Sequence, residues 1–245
     1  MILANYIVGS YYIVRSLFRF SENTTKYLFT NNFINLPISK FDKINEGIYS
    51  SIHGIFVSIC ASLSITNSLF DYNSIFSKNS GLIEKDNELQ YFTVSICFSY
   101  FLIDLFKCLY EKKYLFILHH IAALYLLVFS IYSFYIYDDK GFYAMYLIFL
   151  LESNTFLLNL GFLLKEFKFH YSITCTSWII HLFFFILFRL ITIPRILFLY
   201  YYNENLDLIS LSQVPSFLLI FTGSVYWSYR QAIGIKKYLK ENSVI

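Results

Sequence analysis

Long apolar runs broken by short polar stretches fill most of the chain. They lie near residues 2–18, 48–66, 91–110, 114–136, 142–164, 172–194 and 208–229. Each approaches the roughly 20 apolar residues that a helix needs to cross the hydrocarbon of a bilayer. The pattern predicts an all-α, polytopic membrane bundle of six to seven transmembrane helices. Most connections are short; the exceptions are the polar segment 21–46 and the loop 67–90, rich in Asn, Ser, Asp and Glu. No repeat and no separate soluble domain is evident. Pro194 is expected to end the sixth run, and Pro215 to kink the seventh, where neighbouring helices satisfy the freed carbonyl. In the first run Arg15 and Arg19 must snorkel, or that segment lies flat on the membrane surface.

Polar positions inside the runs carry the chemistry. His119 and His120 follow one another in FILHHIAALYLLV. A charged residue at the centre of a membrane helix costs roughly 2.5–3.5 kcal/mol on insertion scales; a neutral imidazole costs less, yet two in succession need partners or water. Basic residues orient the bundle. With the amino terminus outside, Lys78, Lys85 and Lys140 are the outer lysines, Arg189 and Arg195 lie in or border the sixth run, and every other Lys and Arg falls inside. The positive-inside rule then puts the carboxyl terminus in the cytosol. The sequon Asn23-Thr24-Thr25 faces the cytosol and stays unmodified.

In this frame His53, Asp104, His119 and Asn159 sit at matching distances from the cytosolic ends of four consecutive helices, roughly 8–9 Å deep at 1.5 Å per residue. Groups at one depth suggest one shared site. Glu152, Thr155 and Asn159, spaced i, i+3, i+7, form a stripe on the fifth helix. Ser50, Gly54, Ser58 and Ser62 give the second helix a small-residue face for close packing. Arg189 lies nearer the outer end and reaches Glu152 only if the bundle is tilted.

Composition agrees. The 245 residues are 57% hydrophobic and 14% charged, against about 25% charged in ordinary globular domains. A net charge of +3 is too small and too dispersed to imply nucleic acid. The opening MILANYIVGSYYIV has no basic region before it and no small-residue cleavage site, so no signal peptide is expected. Cys60, Cys97, Cys108 and Cys175 fall in or at the ends of apolar runs without a C-x-x-C pair, which predicts buried structural thiols.

Several stretches resemble the TLC-domain (TRAM/LAG-type) membrane family, which includes the ceramide synthases and small homologues outside that activity. KFDKINEGIYSSIHG resembles the entry into the second helix, with Ser-x-x-His at Ser50–His53. SYFLIDLF resembles the Tyr-Phe-x-x-Asp-Leu element at Tyr100–Leu105, and HHIAAL the double-His signature. Glu152-x-Asn154-Thr155-x-x-x-Asn159 resembles Glu-x-Ser-Thr-Pro-Phe-x-Asn, and FRLITIP the late element around Arg189. The elements span about residues 40–235 in the family's order. The resemblance implies at least six helices around a lipid-accessible membrane cavity. Its expected division is a membrane segment and linker at 1–40, the TLC domain at 41–235 and a basic cytosolic tail at 236–245. Departures point to the small subgroup outside the ceramide synthases. DDKGFYAMYLIFLLESN stands where those enzymes carry an acidic His-Asp-x-x-Asp element, Phe156 replaces the family's Pro, and Gly161-Phe162 replaces its Arg-Trp.

Three function classes stay open. The first is a lipid-handling protein of the endoplasmic reticulum or another endomembrane, binding a fatty acyl or sphingoid chain to sense, move or present it. The second is an acyl-CoA-dependent acyltransferase of ceramide-synthase type: His119 or His120 takes a proton from an amine or hydroxyl, with Asp104 holding its tautomer. His53, Glu152, Thr155, Asn159 and Arg189 would then line the lipid cavity. The third, a seven-helix receptor, lacks an Asp-Arg-Tyr triplet, an Asn-Pro-x-x-Tyr element and a seventh-helix lysine. The bland reading of the His, Asp and Asn groups is an interhelical hydrogen-bond network, worth about 0.6–2 kcal/mol per bond. A zinc site of His53, Asp104 and one histidine of the pair is disfavoured because adjacent histidines diverge, so neither metal nor cofactor is expected. His181 reads as packed or bonded near Ser177, and His170 as a headgroup contact at most. Expected partners are membrane lipid and, for a transferase, acyl-CoA; a homodimer is a possible assembly.

Overall fold

The computed structural model describes residues 2–30, 40–64, 88–136, 148–194, 198 and 213–242. Its helices are α1 (Ile2–Thr30), α2 (Phe41–Ser64), α3 (Glu88–Tyr110), α4 (Tyr114–Ile136), α5 (Thr155–Glu166), α6 (Tyr171–Phe185) and α7 (Val214–Asn242). A helical stretch from Ile148 enters α5 through a turn at Ser153–Asn154. A π-helical continuation, Ile186–Thr192, extends α6. No strand occurs among the described residues. Among the described residues four helices are long and apolar enough to cross a membrane: α2, α3, Ile148–Glu166 and Tyr171–Thr192; α4 adds the apolar stretch Tyr114–Phe129.

Local chemistry explains the ends of these elements. The connections α3–α4 and α5–α6 close with the same device. Lys112 (φ 58°) and Lys168 (φ 57°) adopt the left-handed conformation. The following amides, Lys113 and Phe169, donate back to the carbonyls of Cys108 and Leu164. This is the 6→1 bond of a Schellman ending, and it turns the chain back within a few residues. The exposed His170 is the N-cap of α6, accepting from the Ser172 amide through Nδ1. Pro215 does not kink the seventh helix. It sits in the first turn of α7, where an N–H has no intrahelical acceptor and the fixed φ suits the helix.

In the polar segment 21–46 the described residues, 21–30 and 40–46, are helical. Thr30 ends α1 and Phe41 starts α2. The Ser21 hydroxyl lies 2.6 Å from Asn45 Oδ1 and 2.9 Å from the Asn45 carbonyl, joining the two helices in a buried contact. In these described residues the hydrophilic character includes this buried pair and the exposed Glu22–Lys26 ion pair. The loop 67–87, residues 31–39, the starts of the fifth and seventh runs, and Lys78, Lys85, Lys140 and Arg195 lie outside the described residues.

Packing closes the helices into a ring. In order around it, α2 contacts α3, α3 contacts α4, α4 contacts α7, α7 contacts α6, α6 contacts α5, and α5 returns to α2. The remaining helix, α1, packs outside the ring along α2 and α3, with Val14 fully buried among Leu17, Phe18, Val57 and Tyr100. Small residues set the close approaches. A Cβ on Gly54 would stand 3.2 Å from the Glu152 carbonyl, and one on Gly161 would stand 2.4 Å from the Trp178 ring. Polarity is inverted relative to a soluble domain. The outer surface carries Ile59, Phe106, Ile121, Phe183 and Leu218, all exposed, while His53, His120, Glu152, Asn154 and Arg189 are buried. Lipid is the solvent that makes such an arrangement favourable.

Candidate functional site

The ring encloses a cavity of about 640 Å³ to which all six of its helices contribute. Seven of the eight residues expected at a shared site line it: Asp104, His119, His120, Glu152, Thr155, Asn159 and Arg189. His53 is placed elsewhere. Because α2 starts at Phe41 and not near residue 48, His53 lies about 10 Å deeper along its helix than the run suggested. It is 1% exposed and stacked flat on Tyr100, centroids 3.6 Å apart at 5°. Tyr100, whose hydroxyl meets Ser50 Oγ at 3.1 Å, is the residue that faces the cavity.

On the α3–α4 wall His120 Nε2 approaches Asp104 Oδ2 to 2.8 Å. The Nδ1 of His120 has no hydrogen-bond partner. The adjacent His119 meets Trp227 of α7 edge-on, centroids 5.1 Å apart, so the two histidines diverge as helical geometry requires. Asp104, Cys108 and His120 are the grouping of potential metal ligands among the described residues, their ligand atoms all within 4.8 Å of one another. His53 is not part of it.

Across the cavity the fifth-helix stripe is interrupted by the turn at Ser153–Asn154. The Thr155 hydroxyl points at Glu152 Oε2 from 3.5 Å, and the Asn159 amide donates to the Thr155 carbonyl at 3.1 Å. Arg189 does not form an ion pair with Glu152. Its Nη2 donates to the Leu151 carbonyl at 2.6 Å, its guanidinium lies 4.7 Å from the Phe185 ring centroid, and its Nε has no partner. The π-helical turns place it there, with Thr192 Oγ1 bonding the Leu187 carbonyl five residues back. His181 is not bonded to Ser177, whose hydroxyl donates to the Leu157 carbonyl. His181 Nδ1 meets the Gln231 amide at 2.8 Å, and both residues line the cavity.

At one end the cavity is rimmed by charge from Lys43, Glu46 and Lys113. Glu46 pairs with Lys107 at 3.1 Å and lies 4.0 Å from Lys113, which also pairs with Glu111 at 2.6 Å. Partial burial disfavours the Lys113 ammonium, but its bond to Glu111 and the charge of Glu46 outweigh this and hold its pKa above the ordinary lysine value. Lys40 pairs with Glu166 at the same end, tying α2 to α5.

A family model described as the TLC domain matches residues 43–231, the whole ring from the first turn of α2 into α7. The chain belongs to the TLC-domain family. It is an integral membrane protein of a family linked to lipid handling. No curated protein and no solved structure matches the chain.

Mapped onto this TLC fold, the polar candidates of the motifs line the ring's interior, apart from His53. The sequence reading missed Tyr100, Trp227 and Gln231 as cavity residues, and Cys108 as a neighbour of the Asp104–His120 contact. Cys108 had a detectable signal, since it follows Asp104 at i+4 and shares its helix face. Trp227 and Gln231 had none, because the ring closure that brings α7 against α4 is invisible in local periodicity. All four cysteines are free and buried, as their apolar surroundings suggested.

Proposed function

We propose that this TLC-domain protein holds a fatty acyl or sphingoid lipid in the ring cavity, to sense, move or present it, and thereby influences membrane lipid composition. The observation that supports this is the cavity of about 640 Å³ whose wall carries Asp104, His119, His120, Glu152, Thr155, Asn159 and Arg189. That volume falls within the roughly 300–1,000 Å³ of ligand pockets, and an apolar wall with a few convergent polar groups is what an amphipathic ligand needs. The reading places the protein in the endoplasmic reticulum or another endomembrane with its carboxyl terminus in the cytosol. Support for the orientation is the cluster of Lys40, Lys43, Lys107 and Lys113 at one end of the ring. Residues 41–235 form the lipid-binding domain, 1–40 a flanking segment, and 236–245 a basic tail suited to anionic lipid. The test is lipid mass spectrometry on purified wild type and on His119→Ala/His120→Ala. A co-purifying lipid that the variant loses is expected; equal lipid in both, or none in either, overturns the reading.

A transferase reading is favoured by one further observation, the 2.8 Å approach of His120 to Asp104 on the cavity wall. There a histidine would take the proton of an amine as its nitrogen attacks an acyl thioester and the thiol leaves. Incubation with acyl-CoA and long-chain amines checks it: an N-acyl product made by wild type and absent with His119→Ala/His120→Ala is the expected result. No product from either protein refutes turnover of these substrates.

A further inference from the structure

We propose that Asp104, Cys108 and His120 form a transition-metal site on the cavity wall, with the ligand set of a zinc centre and a fourth position open to the cavity. Asp104 and Cys108 stand at i and i+4 on one face of α3, and His120 reaches them from α4. Their ligand atoms all lie within 4.8 Å of one another, and all three residues line the cavity. The state of His120 is the independent sign. It is 4% exposed, its Nδ1 has no hydrogen-bond partner, and its Nε2 has the Asp104 Oδ2 at 2.8 Å. Imidazole nitrogen and carboxylate oxygen therefore already converge at the cluster, where Cys108 supplies the third ligand atom.

Sulfur, imidazole nitrogen and carboxylate oxygen together suit Zn²⁺, whereas Mg²⁺ and Ca²⁺ prefer oxygen alone. Bonds of about 2.3 Å to sulfur and 2.0–2.2 Å to nitrogen and oxygen set tetrahedral ligand atoms roughly 3.3–3.7 Å apart, a modest side-chain adjustment from the observed cluster. The double histidine argued against a metal because its two rings diverge. Cys108 removes that objection by supplying the ligand that His119 cannot. His119 is then free to face the lipid beside Trp227. A metal with an open position would polarise a carbonyl oxygen presented from the cavity. The site rests on ligand geometry and stands independently of the lipid proposed above.

The experiment uses the full chain, purified in detergent without chelator, then stripped and reloaded with Co²⁺. Metal content is read by mass spectrometry and thiolate coordination by the charge-transfer absorption of Co²⁺. One metal per chain and a thiolate band are expected in wild type and in Cys60→Ala, whose thiol is buried elsewhere on α2. Cys108→Ser, which keeps the size of the side chain, and His120→Ala should weaken binding by at least the roughly 10–100-fold that loss of an outer-shell partner costs. Absence of a stoichiometric metal, or a band that survives Cys108→Ser, overturns the site. Lipid content of the same samples separates the two proposals: lipid without metal refutes only the metal site, and metal without lipid refutes only the cavity occupant.

Discussion

The cavity carries an acid and a base on each of two opposing walls, yet the two pairs are built differently. Asp104 and His120 lie 2.8 Å apart, with His120 making no other polar contact. Glu152 and Arg189 share the same cavity, but Arg189 gives its hydrogen bond to the Leu151 carbonyl and its face to Phe185. The difference lies in the backbone. α3 and α4 run as unbroken helices at their pair, so their carbonyls are satisfied internally. The fifth helix is interrupted at Ser153–Asn154, which leaves carbonyls needing donors in a medium without water. Arg189 therefore acts as a brace for the break, while Asp104 and His120 meet each other on the opposite wall.

The largest expected effect tests the brace. Arg189→Ala removes the donor to the Leu151 carbonyl and the contact with Phe185 and should cost roughly 1.5–3 kcal/mol, read as a lowered unfolding temperature in detergent. An unchanged melting point would remove the distinction between the two walls. Next comes Gly161→Ala, whose new methyl would stand 2.4 Å from the Trp178 ring at the α5–α6 contact. Forced overpacking of this kind costs about 1–3 kcal/mol, and thermal unfolding should register it. Asp104→Asn sharpens the contrast from the other side. It should shift stability by about 1 kcal/mol or less, since interhelical polar contacts in membranes average about 0.6 kcal/mol, yet lower retained lipid or metal. A variant that keeps both ligands at wild-type levels would show that wall to be packing alone. The smallest change is expected for Ser50→Ala, which removes the 3.1 Å contact with the Tyr100 hydroxyl. It should cost about 0.6 kcal/mol or less and leave the Tyr100–His53 stack in place, detectable as a small melting shift.

Much of the site was legible because its residues sit in runs where polarity is expensive. Asp104, His119, His120, Glu152, Asn159 and Arg189 stand out from apolar neighbours, and each proves to line the cavity. Depth was read less well. His53 was assigned to the same layer from the edge of an apolar run, but α2 begins in the polar sequence FDKINE, whose Lys43 and Glu46 face the charged mouth. Pro215 was misread for a similar reason. A proline kinks a helix interior and starts a helix at its first turn, and only the observed start at Val214 separates these cases.

Apolar length and periodicity determined by themselves that this chain is a helical membrane bundle, because lipid leaves the backbone few other ways to satisfy its hydrogen bonds. Family motifs in the sequence likewise marked the polar residues that could be functional. Only the tertiary structure decided which of them meet. The return of α5 to α2 and of α7 to α4 closes the ring and creates the cavity, and it brings Trp227 and Gln231 to a wall that no local pattern connects to them. That closure depends on close approaches such as Gly54 against Glu152 and Gly161 against Trp178, which are properties of facing surfaces and not of either helix alone.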